Sequence, residues 1–255
     1  MTQVLARKWR PKTFSELVGQ EHVVRALTNA LTQQRLHHAY LFTGTRGVGK
    51  TTLARIIAKA LNCETGVTAK PCGQCTACRE IDAGRFVDLI ELDAASNTQV
   101  DNMRELLENA MYAPSSGRFK VYIIDEAHML SRFAFNAMLK TLEEPPAHVI
   151  FVLATTELER VPDTITSRCQ TFSFKKPSHE TLKKMALDIA KKEGATLAPA
   201  GAELIALMGE GSFRDAQGIL QKVLTVSKDN KLTEEEVGKV VGAPRGELVN
   251  TFLKA

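Results

Sequence analysis

The segment GTRGVGKT, residues 44–51, contains three glycines and ends in a lysine and a threonine. It follows the apolar run AYLFT and precedes TTLARIIAKAL, in which apolar residues recur at helical spacing. A loop of this kind between a strand and a helix points backbone N–H groups at phosphate oxygens, although glycine-rich turns also join strands to helices in many folds that bind no phosphate. With the lysine and threonine in register, we predict a phosphate-binding loop formed by Gly44, Thr45, Arg46, Gly47, Val48, Gly49, Lys50, Thr51 and Thr52.

A pair of carboxylates supports this prediction. The run KVYIIDEAH ends in Asp125 and Glu126, where a purely structural core would carry no charge. We expect Lys50 to reach the β and γ phosphates of ATP, and Thr51 and Asp125 to hold Mg²⁺. Glu126 would polarise the attacking water, unless it is only a carboxylate at the start of a helix. His128 is left without a role, because a histidine there could equally be packing.

Four cysteines are crowded into a short stretch with the spacing C-x8-C-x2-C-x2-C. Four thiolates at such spacing suit a tetrahedral Zn²⁺ with no open position, which is a structural site. The CxxCxxC part also resembles an iron–sulfur run, so that alternative stays open. Cys169 stands apart, and we expect it to be a small buried residue. The predicted zinc ligands are Cys63, Cys72, Cys75 and Cys78.

Short apolar runs alternate with helical patterns through the first two thirds of the chain. The runs 39–44, 88–93, 120–125 and 149–156 are apolar almost throughout, as expected of strands buried on both faces of a parallel sheet. Between them, VDNMRELLENAM has apolar residues at helical spacing. The alternation predicts a doubly wound α/β domain.

After about Pro177 only helical patterns remain, which predicts a second, all-helical domain. Pro244 and Gly246 mark a joint, after which we expect another element to begin. The predicted organisation is residues 1–177 as a nucleotide-binding domain with a metal-binding insert at about 63–78, residues 178–243 as a helical domain, and residues 244–255 as the start of a further, truncated domain.

Composition excludes little beyond membrane and secreted classes. No window approaches the roughly 18 apolar residues of a membrane span, and the first residues lack the apolar stretch of a secretion signal. We therefore expect a cytoplasmic protein without a membrane partner. The formal net charge of +4 permits an anionic partner without requiring one.

The sequence around one arginine indicates a possible role, whereas the sequence around a second arginine does not. Ser212 has the position of an N-cap with Asp215 as its N3 partner, which puts Arg214 in a first helical turn where the helix dipole opposes a cation. Nucleotide phosphates would resolve that conflict, but a solvated arginine or one paired with Asp215 would too. Arg168, in TITSRCQ, means little when taken alone.

Several motifs together resemble the clamp-loader type of AAA+ ATPase: GTRGVGKT, VYIIDEAH, LATTE, TSRC and GSFRDA. The opening LARKWRPKTFSELVGQEHV, the run HHAYLFTG, the four-cysteine insert and FNAMLKTLEEPP resemble the tau/gamma family of bacterial DNA polymerase III. The resemblance implies a P-loop AAA+ domain with a parallel sheet and a zinc-binding insert, followed by a small all-α lid domain. It also implies that residues 244–255 begin a collar domain.

The resemblance assigns roles that spacing alone does not. It implies that Thr156 occupies the sensor-1 position, where clamp loaders often carry asparagine, and that Arg214 is sensor 2 on the γ-phosphate. Arg168 would be an arginine finger acting in trans on ATP held by a neighbouring subunit. The residues implied around the adenine are Ala6, Pro11 and Val18.

The implied function is an ATPase that opens the sliding clamp and loads it on primed DNA. Its implied partners are delta and delta-prime subunits, further copies of this chain, the clamp and primer-template DNA. Arg104 and Lys140 are candidate phosphate contacts, although solvated helix faces explain them equally well. A P-loop helicase or branch-migration motor remains an alternative. A non-hydrolysing clamp-loader arm is another, but the intact Lys50, Thr51, Asp125 and Glu126 speak against it.

Overall fold

The computed structural model describes residues 4–96, 100–227 and 230–242. The predicted start of a further domain, residues 244–255, lies outside the described residues. The chain divides into two compact units, Pro11–Lys175 and a smaller one formed by Met1–Arg10 with Lys176–Ala255. The α-helices in chain order are α1 Leu5–Lys8, α2 Glu21–Thr32, α3 Lys50–Asn62, α4 Thr76–Ala83, α5 Val100–Ala110, α6 Arg132–Glu143, α7 Asp163–Thr166, α8 His179–Lys192, α9 Pro199–Met208, α10 Phe213–Val226 and α11 Glu234–Val241.

The larger unit is built on a parallel sheet of five strands. The strands are β1 Ala39–Thr43, β2 Leu89–Asp93, β3 Lys120–Asp125, β4 Val149–Thr155 and β5 Gln170–Ser173. Their order across the sheet is β2-β3-β4-β1-β5, so β1 and β4 are central neighbours and β3 lies beside β4. Because all strands run the same way, the loops after β1, β3 and β4 emerge at one edge.

Side chains alternate between two cores, one on each face of this sheet. Tyr40 and Phe42 of β1 pack in a cluster with apolar residues of α2 and α3, whereas Ala39 and Leu41 pack with residues of α5 and α6. A sheet with helices on both faces is the doubly wound arrangement, and the predicted α/β class is confirmed.

Strand β2 departs from the expectation that every apolar run is buried on both faces. Burial is complete along β1 and β4, but all five residues of β2 are exposed or only partly buried. The reason is its place at the edge of the sheet, where only β3 pairs with it. Glu91 uses this exposure to form an ion pair with Arg55 of α3.

The smaller unit is helical and has its own core from α1, α8, α9, α10 and α11. Leu5 of α1 is 5% exposed in this core, and Trp9 Nε1 donates to Glu193 Oε1 at 2.6 Å. Residues 4–10 thus pack with helices from the other end of the chain, whereas the sequence boundaries grouped them with residues 11–177. One pair of two-residue strands, β6 Thr196–Leu197 and β7 Lys231–Leu232, is added to the helices.

In the part of the chain that the structure describes, none of the helices has the length and apolar character needed to traverse a lipid bilayer.

Candidate functional site

The loop between β1 and α3 has a backbone that requires glycine. Gly44, Gly47 and Gly49 have φ angles of 139°, 72° and 104°, in the region that favours glycine over any other residue. A Cβ at Gly44 would also lie 2.7 Å from the carbonyl oxygen of Phe174. The three glycines that predicted the loop are therefore needed for its conformation.

Lys50, the first residue of α3, has its ammonium drawn over this loop. The side chain is buried, and Nζ donates to the carbonyl oxygens of Gly44 and Thr45 at 2.7 and 2.9 Å. A lysine whose head is held at a loop of positive-φ glycines is placed to meet an anion bound there. Thr45 and Arg46 are exposed, Val48 is buried, and Thr52 is partly buried in the first turn of α3.

Thr51 and Asp125 are brought into direct contact although 74 positions separate them in the sequence. The Thr51 hydroxyl donates to Asp125 Oδ2 at 2.7 Å, and Asp125 Oδ1 accepts the N–H of Glu126 at 3.0 Å. A hydroxyl and a carboxylate are hard oxygen donors, so this pair fits the chemistry of Mg²⁺. The structure thus brings the phosphate loop and the acidic strand end together.

Glu126 adopts a backbone conformation that is unusual for a residue with a side chain. Its φ and ψ are 48° and 44°, the left-handed region, which costs about 1–2 kcal/mol for a non-glycine residue. Its carboxylate oxygen Oε2 accepts the hydroxyl of Thr156 at 3.1 Å, which ties the acid to the residue after β4. Such local strain is concentrated at functional positions in proteins.

His128 is the residue of this region that sequence reasoning left without a role. Its side chain is 6% exposed and lies between two glutamates, with Nδ1 3.5 Å from Glu126 Oε2 and Nε2 3.3 Å from Glu157 Oε1. Nδ1 also lies 3.0 Å from Thr155 Oγ1. One feature of the sequence could have indicated a role for His128: it lies two residues after an acid that follows a buried strand.

The residues expected around the adenine are divided between the two units. Ala6 lies on α1 of the smaller unit, whereas Pro11 and Val18 precede α2 in the larger one. Val18 is 53% exposed, and its neighbour Leu17 would approach a Cβ at Gly49 to 3.9 Å. The segment that carries Val18 therefore borders the phosphate loop.

Arg168 and the two candidate DNA contacts lie on the larger unit. The Arg168 guanidinium is one third exposed, donates to the carbonyl oxygen of Thr164 at 2.7 Å and pairs with Glu143 of α6. Arg104 on α5 and Lys140 on α6 are exposed.

Arg214 belongs to the smaller unit and is exposed at the second position of α10. The predicted cap is confirmed, since Ser212 Oγ accepts the N–H of Asp215 at 3.2 Å. The dipole conflict that pointed to an anion partner for Arg214 therefore exists in the folded helix.

The four clustered cysteines meet at the opposite end of α3 from the phosphate loop. Their Sγ atoms all lie within 4.8 Å of one another. Sulfurs bound to one zinc at about 2.3 Å stand roughly 3.8 Å apart in a tetrahedron, so the group needs only a small contraction to hold one ion. The cluster is consistent with zinc, as predicted for Cys63, Cys72, Cys75 and Cys78.

Backbone N–H groups already stabilise sulfurs of this cluster. The N–H of Cys72 donates to Cys63 Sγ and that of Cys75 to Cys72 Sγ, both at 3.3 Å. Burial raises the pKa of the Cys63 thiol, but the hydrogen bonds from Cys72 and Thr65 outweigh burial and lower that pKa to about 6. Cys169 is only partly buried, whereas a buried residue was predicted, but burial still raises its pKa to about 12, which does not suit a nucleophile.

Comparison with known proteins gives the family. A family model described as DNA polymerase III, delta subunit, matches residues 19–178. The chain is 55% identical to the DNA polymerase III subunit tau of Escherichia coli K12 over 94% of its own length, but spans 37% of that protein. It is 50% identical to subunit gamma of Buchnera aphidicola subsp. Schizaphis graminum over 92% of its length, and spans 66% of it.

Among solved structures, the chain is similar to the RuvB Holliday junction branch migration motor of Thermotoga maritima. The TM-score is 0.67 at 24% identity, covering 91% of this chain and 72% of the other. That likeness concerns the fold, which is AAA+-like with a four-cysteine insert and a helical C-terminal part. The chain belongs to the DNA polymerase III delta-subunit family, and the relatives that resemble it over nearly its whole length are tau and gamma subunits.

Proposed function

We propose that this chain binds ATP with Mg²⁺ and hydrolyses it as the motor subunit of a DNA polymerase III clamp loader, which opens the sliding clamp and loads it on primed DNA. The observation that carries the proposal is the 2.7 Å contact between Thr51 and Asp125. It joins a phosphate-binding loop to a pair of carboxylates at one edge of the sheet, as hydrolysis requires. The tau and gamma relatives supply the clamp-loading context.

Each residue at this edge has a definite task. The N–H groups of the loop and the ammonium of Lys50 hold the β and γ phosphates. Glu126, whose carboxylate is fixed by Thr156, orients the attacking water and draws on its proton. Mg²⁺, held by Thr51 and Asp125, would neutralise charge on the phosphates when bound.

Two arginines extend the proposed site beyond the loop. Arg168 acts in trans on ATP bound by a neighbouring subunit, and Arg214 of the helical lid, residues 178–243, contacts the γ-phosphate. Partial exposure of Arg168 supports a role that needs access to another molecule. The adenine is held by Ala6, Pro11 and Val18.

The proposed partners are delta and delta-prime subunits, further copies of this chain, the sliding clamp and primer-template DNA. Arg104 and Lys140 would contact DNA phosphates. Zn²⁺ at the four cysteines has a structural role and takes no part in hydrolysis.

The experiment measures ATP binding and turnover of the full-length protein assembled with its delta and delta-prime partners. Glu126→Gln should keep ATP affinity and lower turnover about 100-fold, because the amide cannot draw a proton from water. Glu180→Gln, a change at an exposed glutamate of α8, is the matched control. Turnover unchanged in Glu126→Gln would refute the assignment of the water-orienting acid.

A second arm of this experiment distinguishes a clamp loader from a motor that moves along DNA. Primed DNA and the sliding clamp together should stimulate turnover of the parent complex far more than either does alone. Strand separation by the complex in the absence of any clamp would instead favour a helicase or branch-migration motor.

The role of Arg168 is tested in the same assembly. Arg168→Ala should leave ATP binding by the isolated chain unchanged and lower turnover of the complex by about 1000-fold, as expected when an arginine finger is removed. Normal turnover of that complex would remove the trans role.

A further inference from the structure

We infer that His128 is a positioning residue, which fixes the carboxylate of Glu126 for hydrolysis and ties it to Glu157. The inference deepens the proposed function and rests on it, since the positioned group is the acid proposed to orient water. It assigns a task to a buried histidine that the motifs of the phosphate site do not use.

The hydrogen bonds around Thr155 decide which atom of the ring faces Glu126. The hydroxyl of Thr155 donates to the carbonyl oxygen of Glu157 at 3.2 Å and accepts the N–H of Glu157 at 3.0 Å. Its remaining capacity is that of an acceptor, so His128 Nδ1 is the donor across their 3.0 Å contact. The same Nδ1 lies 3.5 Å from Glu126 Oε2, a longer electrostatic contact with that carboxylate oxygen.

A hydrogen bond and a longer electrostatic contact therefore meet at one oxygen of the Glu126 carboxylate. The Thr156 hydroxyl approaches Oε2 at 3.1 Å from one neighbour and His128 Nδ1 approaches it from another. With Oε2 engaged, Oε1 is left to face the water. A side chain one third exposed would otherwise rotate freely, and productive geometry tolerates displacements of only about 0.5 Å.

The second ring nitrogen extends the arrangement along the chain. His128 Nε2 lies 3.3 Å from Glu157 Oε1, a contact that is attractive when Nε2 also carries a proton, and the other carboxylate oxygen of Glu157 pairs with Arg160 Nε at 3.0 Å. Glu157 begins the segment that continues through α7 to Arg168. His128 thus connects the hydrolytic acid of this chain to the segment that carries the arginine proposed to serve a neighbour.

Substitutions that each keep one nitrogen separate the two contacts. The amide of asparagine reaches the place of Nδ1, and the longer glutamine reaches that of Nε2. In the full-length complex, His128→Asn should keep kcat within about threefold, whereas His128→Gln and His128→Phe should lower kcat at least about tenfold. ATP affinity, measured by calorimetry, should be unchanged in all three, because none of them alters the phosphate loop.

A double-mutant cycle with Glu126→Gln completes the test. If His128 acts through Glu126, His128→Phe should add less than about twofold to the loss already caused by Glu126→Gln. Full kcat in His128→Phe, or equal losses in the asparagine and glutamine variants with a matching fall in Tm, would overturn the inference. If Glu126→Gln itself left turnover intact, the proposed function would fail instead, and the two failures are therefore distinguishable.

Discussion

Helix α3 carries two buried lysines near its two ends, and their surroundings differ. Lys50, at the first position, directs its ammonium to the carbonyl oxygens of Gly44 and Thr45. Lys59, in the last turn, is 1% exposed and donates to both carboxylate oxygens of Asp82, at 2.9 and 3.1 Å, and to the carbonyl oxygen of Lys12. One lysine lies over a loop of positive-φ glycines, whereas the other is enclosed by a carboxylate of its own chain.

The residues near the two ends of α3 differ in the same way as the two lysines. Beside Lys50 lie the positive-φ glycines, and the next residue, Thr51, contacts Asp125, which is followed by Glu126 in its left-handed conformation. Beside Lys59 the chain closes on itself, since Asn62 Oδ1 accepts the N–H groups of Arg118 and Phe119, and the four thiols lie together. Burial of a charge is therefore a poor sign of function by itself. The partner that holds the charge, and any strain beside it, distinguish a ligand site from a structural one.

The largest expected effect is at the first end of the helix. Lys50→Ala should weaken ATP binding at least about 100-fold, because it removes a charge-assisted contact to two phosphates. Calorimetric titration of the protein with ATP and Mg²⁺ measures this. Equal affinity in Lys50→Ala and the parent would erase the contrast between the two lysines.

The next effect is at the cysteine cluster. Cys78→Ser should abolish zinc binding and lower the free energy of unfolding by about 3 kcal/mol, since metal binding and folding of such an insert are coupled. Metal analysis and denaturant unfolding provide the measurements. Cys169→Ser is the matched control and should retain one zinc per chain. Retention of zinc in Cys78→Ser would show that the cluster is not a closed four-thiolate site.

Lys59→Met sharpens the comparison of the lysines directly. It should lower the free energy of unfolding by about 2 kcal/mol, because Asp82 loses its buried partner but keeps some access to water. ATP affinity should remain within about twofold of the parent, which is too little to reflect a lost phosphate contact. A large loss of ATP affinity in Lys59→Met would mean that the helix transmits effects between its ends.

Two glycines give the smallest effects. Gly44→Ala should lower the free energy of unfolding by about 2 kcal/mol. The new Cβ would lie too close to a backbone oxygen, and the φ angle at this position is unfavourable for alanine. Gly84, which follows the last residue of α4, has a φ of 70° and open space around it, so Gly84→Ala should lower the free energy of unfolding by about 1 kcal/mol. Only Gly44→Ala should also weaken ATP binding. Equal effects of the two substitutions on unfolding and on binding would contradict the close approach seen at Gly44.

Much of this arrangement could be predicted from sequence because local patterns specify it. Strand β4 is a continuous apolar run and is fully buried, and the apolar positions Met103, Leu106, Leu107 and Ala110 of α5 are buried as their spacing predicts. The phosphate loop is encoded by glycines whose φ values demand them. The cysteine cluster could be predicted from residue type and spacing, since four cysteines this close together in a sequence are typical of a zinc site.

What sequence did not supply depends on contacts between distant segments. Nothing local in LARKW shows that Leu5 completes the core of helices beginning more than 170 residues later. The exposure of β2 depends on strand order, which the apolar run itself does not contain. From the sequence, His128 could equally be a packing residue. Its polar contacts exist only because the fold brings Glu157 and Thr155 beside it.

The conformation of Glu126 also bears on how this protein can change over generations. Glycine at this position would relieve that backbone cost of about 1–2 kcal/mol. In a duplicated copy freed from turning over nucleotide, that relief would favour mutation away from the acid, while the phosphate loop, whose glycines carry no such cost, would persist. Descendants that bind nucleotide without cleaving it would therefore be an accessible outcome of drift, since only the proposed role in hydrolysis opposes replacement of the glutamate.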